Sequence, residues 1–429
     1  MNILMMTNTY KPIVGGIEKS IEVFSSEYRS LGHNTLIVAP VFKDMPEDEE
    51  HIHRIPAIQN FNDTDFSVEL PIPGVLNGVL NEFKPDIVHS HHPFLVGDIA
   101  LRVAANLNIP IVFTYHTRYE MNTHYVPGDS EPLKKFVIEL ADGYSDLCDH
   151  VIAPSESIAD LLKERGGETE ITVIPTGINV SEYYSGNGDS IRQEYGIPGK
   201  AFVVGYLGRI AEEKNMSFLQ EAVMPFMKQQ KDVHFLVVGD GDIAGVMKEK
   251  ARSMGVSERM HFTGILKGKE KIDAYHAMDV FVFASKSETQ GIVLNEAMAS
   301  GVPIIGLDAP GVREVIQDGV NGYLIFEEDK ILFSEKLEQF YNMEKSQKES
   351  FRNNARATAG DFDYKKSVQK TLDLYQKVID KKHINKDADK SMWETSKRAI
   401  KREMEIISNV VKSAGVALNI KKDENESKR

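Results

Sequence analysis

Twice along this chain, short apolar runs rich in β-branched residues alternate with stretches of helical periodicity. One segment with a Pro and a Gly, VIPTGIN (Val173 to Asn179), separates the two series. Such alternation is the pattern of parallel sheets linked by crossover helices. The first series places strands at Asn2–Thr7, Thr35–Ala39, Asp86–His89, Ile111–Tyr115, Val151–Ala153 and Ile171–Ile174. The second places them at Phe202–Ile210, His234–Gly241, Met260–Leu266, Val280–Ser285 and Pro303–Gly306. A chain of 429 residues is too long for one ordinary core, so each series is expected to build its own α/β domain. Residues 43–73, with DMPEDEEH and PIPG, are the least regular part and are expected to form a surface excursion.

The run with most chemistry is SKSETQGIVLNEAMASGVPIIG, Ser285 to Gly306. A buried strand before it and another at its end enclose a polar loop and a short amphipathic helix, Ile292 to Ala299, with Gly301 at the C-cap. The loop empties onto the helix N-terminus at Gln290 and Gly291. Uncapped N–H groups and the positive end of the helix dipole make that an anion site. Glu288 precedes the helix and Glu296 lies within it. A ligand that is both anion and polyol, such as a nucleotide-sugar, suits such a frame: diphosphate on the helix, hydroxyls on the carboxylates.

Glu288 and Glu296, with seven residues between them, match the E-x7-E motif, and the chain resembles the retaining glycosyltransferases of family 4. The resemblance covers about residues 1–375. It implies the GT-B fold, α/β, with two Rossmann-like domains and a cleft between them. The expected domains are 1–178 for the acceptor and 179–378 for the nucleotide-sugar, the last helix crossing back, with 379–429 as a tail. Other motifs agree. GRIAEEKN supplies Arg209 and Lys214, which match the family's diphosphate clamp. FTGIL supplies Phe262, Gly264 and Leu266, similar to the segment whose backbone reads the base. The Gly15–Gly16 pair, at the turn from first strand to first helix, lies in that family under the sugar and diphosphate. His116 ends a strand, where α/β sites collect, and the resemblance puts it beside the donor sugar.

The resemblance therefore implies His116, Glu288, Arg209 and Lys214 as catalytic residues. Gly15, Gly16, Phe262, Gly264, Leu266, Gln290, Gly291, Ile292, Val293 and Glu296 would join Arg209, Lys214 and Glu288 on the donor. HTRYEMNTHY, His116 to Tyr125, looks most like the diacylglycerol glucosyltransferases of the family. There Tyr119, His124, Tyr125, Lys134 and Lys135 would face a lipid acceptor or the membrane. Lipid-binding relatives usually carry several basic residues on the following helix; here four acids follow Lys134 and Lys135. The implied reaction moves a hexose, glucose by resemblance, from a UDP-sugar to a membrane lipid such as diacylglycerol, on the inner face of the cytoplasmic membrane. A soluble acceptor is the alternative. No metal and no cofactor is implied, since cations and a helix N-terminus would carry the diphosphate charge.

Charge and composition exclude several classes. Residues 1–180 hold 12 basic and 26 acidic residues, so the body should repel nucleic acid. One cysteine, Cys148, allows neither a disulfide framework nor a cysteine-built metal site. No apolar run reaches membrane-spanning length, and MNILMMTNTY opens into a strand without a basic leader. VVGDGDIAG offers Gly239, Gly241 and Gly245, but this G-x-G-x3-G spacing fits a dinucleotide fingerprint poorly. The acidic triplets DTD and DFD lie away from strand ends, unlike the metal site of a GT-A transferase. A sugar-nucleotide epimerase and an idle scaffold remain as same-fold rivals; nothing bears on oligomeric state.

The tail reverses the charge, with 13 basic and 8 acidic residues over 381–429. KSMWETSKRAIKREMEIISNVVKSAG starts with Ser391 and Glu394 at capping-box spacing. Trp393, Ile400, Met404, Ile407 and Val411 line one helical face, widened by Met392, Ala399, Ile406 and Val410. Lys397, Arg398, Lys401 and Arg402 cluster elsewhere. The helix can lie on a membrane surface or pack on the protein body. The last residues, KKDENESKR, are expected to be disordered.

Overall fold

The computed structural model describes residues 1–13, 15–58, 68–69, 74–121, 123, 130–384 and 392–418, with backbone alone at 68–69 and 392–396. The chain forms two compact units. The first joins Met1–Ile174 to Val368–Arg429, and the second is Pro175–Ser367.

In the first unit seven parallel strands form one sheet: β1 (Asn2–Met6), β2 (Asn34–Pro40), β3 (Ile52–Ile55), β4 (Ile87–Ser90), β5 (Ile111–Thr114), β6 (His150–Ala153) and β7 (Ile171–Val173). Their order is β3-β2-β1-β4-β5-β6-β7. In the second unit six parallel strands follow the same plan: β8 (Phe202–Leu207), β9 (Val233–Val238), β10 (Met260–Gly264), β11 (Val280–Phe283), β12 (Ile304–Leu307) and β13 (Gly322–Ile325), in the order β10-β9-β8-β11-β12-β13. Both orders reverse direction once, between β1 and β4 and between β8 and β11. Those are the switch points of a Rossmann-like sheet, where ligands bind outside the strand C-termini. The strands are nearly continuous apolar runs because helices cover both faces: β4, β5, β6, β11 and β12 are buried at every residue.

Six helices frame the candidate residues and the tail: α1 (Gly16–Ser30), α2 (Val96–Leu107), α3 (Glu131–Asp146), α4 (Ile292–Ala299), α5 (Tyr364–Ile384) and α6 (Met392–Ala417). Ser130 caps α3 by accepting from the Leu133 N–H, with a proline in the first turn. Gly291 opens α4 at φ +69°, and Gly301 follows its last turn at φ +76°, a left-handed stop that suits glycine. α5 starts in the second unit and ends in the first.

The sequence expectation differs in four places. Residues 52–55 of the supposed excursion are the edge strand β3, and Ala57–Ile58 pairs with Val68–Glu69. β13 has no counterpart among the expected strands. It starts on Gly322, where any Cβ would stand 2.1 Å from the Ile304 carbonyl oxygen, so the residue that lets two strands meet also hides the strand pattern. The unit boundaries fall at Ile174/Pro175 and Ser367/Val368 rather than at 178 and 378. Finally, α6 is no separate tail: it lies along α2 and α3 in the first unit.

Candidate functional site

In the second unit the candidate residues collect at the ends of β8 and β11, on either side of the switch point. Gly208, Arg209 and Lys214 follow β8. Tyr206, buried in the sheet, donates its hydroxyl to the Arg209 carbonyl at 2.8 Å. The β9 loop comes unusually close: a Cβ on Gly239 (φ +134°) would lie 1.9 Å from the Gly208 carbonyl oxygen. A Cβ on Gly241 would lie 2.2 Å from that of Ile210. Gly239 and Gly241 thus let the two loops press together on either side of Arg209, a packing duty, while Gly245 stands in open space. At the end of β10, the Gly264 carbonyl accepts the Gly239 N–H at 2.9 Å, and Lys248 sits over the Phe262 ring at 5.0 Å. Leu266 packs, part-buried, on the core.

Lys214 ends a single 3-10 turn, Glu212–Lys214, so its ammonium reaches the loop after β11. There it bonds Glu288 Oε1 at 2.6 Å. The fully buried Ser285 donates to the same oxygen at 2.9 Å. Glu288 is therefore held on two sides while its partner cation stays part-exposed. Arg209 is more than half exposed and pairs with Glu213 at 3.3 Å. Gln290 Oε1 accepts the Thr176 N–H at 2.7 Å, which ties the loop down just before α4. Behind it lies Gly311 (φ +76°), where a Cβ would stand 2.7 Å from the Gln290 nitrogen. No side chain caps α4, and half-buried Ile292 and Val293 begin its first turn. The structure thus brings Lys214 and Glu288 together in the loop that leads to this N-terminus.

Glu296 is more enclosed than an amphipathic helix implies. Its motif makes it a donor ligand on an amphipathic helix, yet every residue from Leu294 to Ala299 is buried and Glu296 is 3 % exposed. The core encloses this helix on all sides, Asn295 and Glu296 included. The Glu296 carboxylate accepts from Tyr183 at 2.7 Å, Lys271 at 2.7 Å and Tyr275 at 3.0 Å. Burial and this carboxylate raise both phenols' pKa values. In this structure Glu296 ties α4 to its neighbours.

In the first unit the strand ends β1, β4 and β5 bring together a cluster absent from the expected site residues. HSHHP, His89 to Pro93, puts three histidines in four residues at a strand end, which is the available signal. His91 Nδ1 lies 2.9 Å from His116 Nε2. His89 Nε2 meets Thr114 at 2.7 Å, and its other nitrogen meets the Tyr375 hydroxyl of α5. His92 Nδ1 accepts the Asn8 N–H at 3.1 Å, while Asn8 Oδ1 caps α2 through the Val96 N–H at 2.9 Å. His116 is thus held by a buried imidazole at the end of β5. The Gly15–Gly16 pair does sit at the N-terminus of α1, but neither glycine has positive φ. What it gives is room: a Cβ on Gly15 would meet Glu18 Oε2 at 2.5 Å.

Burial pushes the imidazoles of His89, His92 and His116 down to about 3, and holds His91 well below the ordinary value of 6.5. All four are neutral at pH 7. Groups with a lowered folded pKa of this kind bind more protons when unfolded, so stability rises with pH across the window. It is fully present above 6.5 and lost as pH falls toward 3. Asp98 and Asp142, raised to about 6 by burial, act oppositely in the same unit, but they are fewer. Urea midpoints measured at pH 7.5 and 5.0 should drop on acidification; an unchanged midpoint contradicts the buried neutral cluster.

Of the acceptor candidates, Tyr119 is half-buried and packed edge-on against Phe94 (5.1 Å) and Tyr115 (6.3 Å). His124 and Tyr125 lie outside the described residues. Lys134 pairs with Glu131 at 2.9 Å, and Lys135 is exposed. In α6, Lys397 and Lys401 are exposed and Arg398 is half-buried. Arg402 turns to the body and donates to the Leu147 carbonyl at 2.8 Å. The side chain of Trp393 lies outside the described residues. Among the described residues no helix is long and apolar enough to cross a membrane.

Both units match known protein families. Residues 14–182 match the model described as Glycosyltransferase Family 4, and 187–358 match that described as Glycosyl transferases group 1. A relative from Streptococcus pneumoniae, an alpha-monoglucosyldiacylglycerol synthase, is 32 % identical over 76 % of this chain and 76 % of its own. The chain belongs to the family 4 glycosyltransferases. Family 4 membership covers both units, which explains why one strand plan is used twice. A second relative, a GDP-mannose-dependent alpha-mannosyltransferase of Corynebacterium glutamicum, is 29 % identical over 79 % of each chain. Among solved structures, Anabaena Alr3699/HepE in complex with UDP-glucose matches 88 % of this chain and 100 % of its own with a TM-score of 0.68. At 20 % identity that likeness shows the GT-B fold alone.

Proposed function

We propose that this glycosyltransferase moves glucose from UDP-glucose to a membrane lipid such as diacylglycerol, with retention of anomeric configuration. The observation that carries the reading is the Lys214–Glu288 pair at 2.6 Å, beside the uncapped N-terminus of α4. Departure of UDP leaves negative charge on the diphosphate. Lys214, Arg209 and the first-turn N–H groups of α4 would receive that charge, a preorganised electrostatic role that asks for no metal or cofactor. Glu288, held by Lys214 and Ser285, would accept a sugar hydroxyl and orient the hexose. Phe262, Gly264 and Leu266 would meet the base. In the first unit His116, oriented by His91, would serve the sugar. The choice of lipid draws on the name of the Streptococcus relative, and that of the uridine donor on the ligand named for the Anabaena protein. Acting on such an acceptor, the enzyme would sit peripherally on the inner face of the cytoplasmic membrane.

The GDP-mannose relative supports a second donor reading at almost the same identity. A donor screen separates them. UDP-glucose, UDP-galactose, UDP-N-acetylglucosamine and GDP-mannose are each offered with diacylglycerol vesicles and with a panel of soluble sugars and polyols. Labelled lipid from UDP-glucose alone is expected; labelled lipid from GDP-mannose, or label only on a soluble acceptor, overturns the reading. With the right donor, Glu288→Gln should lower kcat more than tenfold. Wild-type turnover in that variant would show that the site is misplaced.

A further inference from the structure

Helix α6 is mounted the wrong way round for a helix of a globular protein. Such helices turn their apolar stripe inward. The side of α6 that meets the body is mostly polar. Arg402 donates to the Leu147 carbonyl at 2.8 Å and Asn409 to that of Leu140 at 3.0 Å, while Glu403 takes Arg102 at 2.8 Å and Lys412 reaches Glu139 at 3.2 Å. Gly143 of α3 makes room, since a Cβ there would lie 2.0 Å from Asn409 Oδ1. Ile406 is the one large apolar side chain that this face of α6 buries among the described residues. These contacts run antiparallel along α3, from Leu147 at Arg402 to Glu139 at Lys412.

The opposite side is apolar and open. Ile400 is 62 % exposed, Met404 66 %, Ile407 55 % and Val411 64 %. Their spacing of four, three and four residues sets them in one row. Lys397, Lys401 and Lys412, all exposed, run along one edge of that row. Of the two acids of α6 whose side chains are described, Glu403 is taken by Arg102, and Glu405 lies between the docked flank and the lysine edge, 3.2 Å from Arg402 and 3.7 Å from Lys401. An aliphatic row free of acids and bordered by exposed lysines is the composition of an interfacial helix. On a chain of net charge −14 it is a local reversal that suits an anionic surface.

We propose that the outer face of α6 is the surface by which this protein docks on an anionic phospholipid bilayer, with Ile400, Met404, Ile407 and Val411 entering the interface. A second copy of the chain is the poorer occupant. The row from Ile400 to Val411 is about 17 Å long and about 10 Å wide, roughly 170 Å², well below the ~800 Å² per partner of a stable dimer. The polar mounting has a purpose on this reading: hydrogen bonds and ion pairs hold the helix while its apolar side stays outward. The proposal rests on the lipid-acceptor reading and deepens it by naming the membrane face.

Full-length protein is sedimented with vesicles of phosphatidylglycerol and phosphatidylcholine, and with pure phosphatidylcholine, without any sugar donor. Binding is expected to the anionic vesicles and to be at least tenfold weaker on the neutral ones or in 0.5 M salt, a deliberate excess over screening at about 0.15 M. The triple variant Met404→Glu, Ile407→Glu, Val411→Glu should weaken anionic-vesicle binding more than tenfold. Its circular dichroism melt and its hydrolysis of UDP-glucose in solution should match wild type, since no docked contact is touched. Absence of wild-type binding overturns the proposal, as does a triple variant that binds as before. If the triple variant instead converts a dimer to a monomer in sedimentation velocity, the face belongs to a second copy and the proposal is likewise overturned. Because no donor is present, failure of this test and failure to glycosylate lipid are read apart.

Discussion

Lys214→Met is expected to lower kcat/KM for UDP-glucose by about 10²–10³-fold, the scale seen when one preorganised group facing developing charge is removed. The ammonium lies 2.6 Å from Glu288 and remains part-exposed, so it can turn toward a diphosphate without leaving the frame. Methionine keeps much of the stem and removes only the charge. Stability should fall only modestly, by about 1.5–3 kcal/mol, because the mostly buried Glu288 carboxylate loses one charged partner and keeps Ser285. Steady-state kinetics and a thermal melt on one preparation check both halves. Near wild-type turnover would mean that the leaving group is stabilised elsewhere; a collapsed melt would mean that Lys214 serves the fold.

Glu296→Gln should act on stability rather than on kinetics. The carboxylate is 3 % exposed and takes hydrogen bonds from Tyr183, Tyr275 and Lys271. Glutamine retains partners for the phenols and strands the Lys271 charge, which keeps a fifth of its side chain in solvent. The expected cost is about 1.5–3 kcal/mol, the range for a hydrogen bond to a charged group. For a unit of this size that is roughly 5–10 °C in Tm. Donor KM measured well below the new Tm should shift little. A normal Tm with a large rise in KM would restore Glu296 to the donor, as its motif suggests.

Much of the fold can be read from sequence because parallel strands buried on both faces leave unbroken apolar runs, as at Val280–Phe283 and Ile304–Leu307. β3 and β13 escape for physical reasons. IHRI at an edge is only half apolar, and GYLI begins with the glycine that close packing demands. The proposed anion frame is legible as far as residue types and spacing define it: a polar loop, a glycine and a helix start at Gly291. Burial is not. Whether a helical glutamate faces a ligand or two tyrosines depends on Tyr183 and Tyr275, 113 and 21 residues away. The histidine cluster is present as HSHHP, yet its link to His116 needs β4 and β5 side by side, which spacing along the chain does not express. The tail is legible as amphipathic but ambiguous in placement, and the structure answers with a polar face inward and an apolar face outward.

The most direct test of the account is the stereochemistry of the product. Full-length protein is incubated with UDP-glucose labelled at the anomeric carbon and vesicles containing diacylglycerol, and the anomeric proton coupling of the extracted glycolipid is read by NMR. Donor and predicted product share the α configuration, so an α-linked glucosyldiacylglycerol with stoichiometric UDP is the expected result. A β-linked product, or UDP formed with free glucose and no lipid product at all, would contradict it.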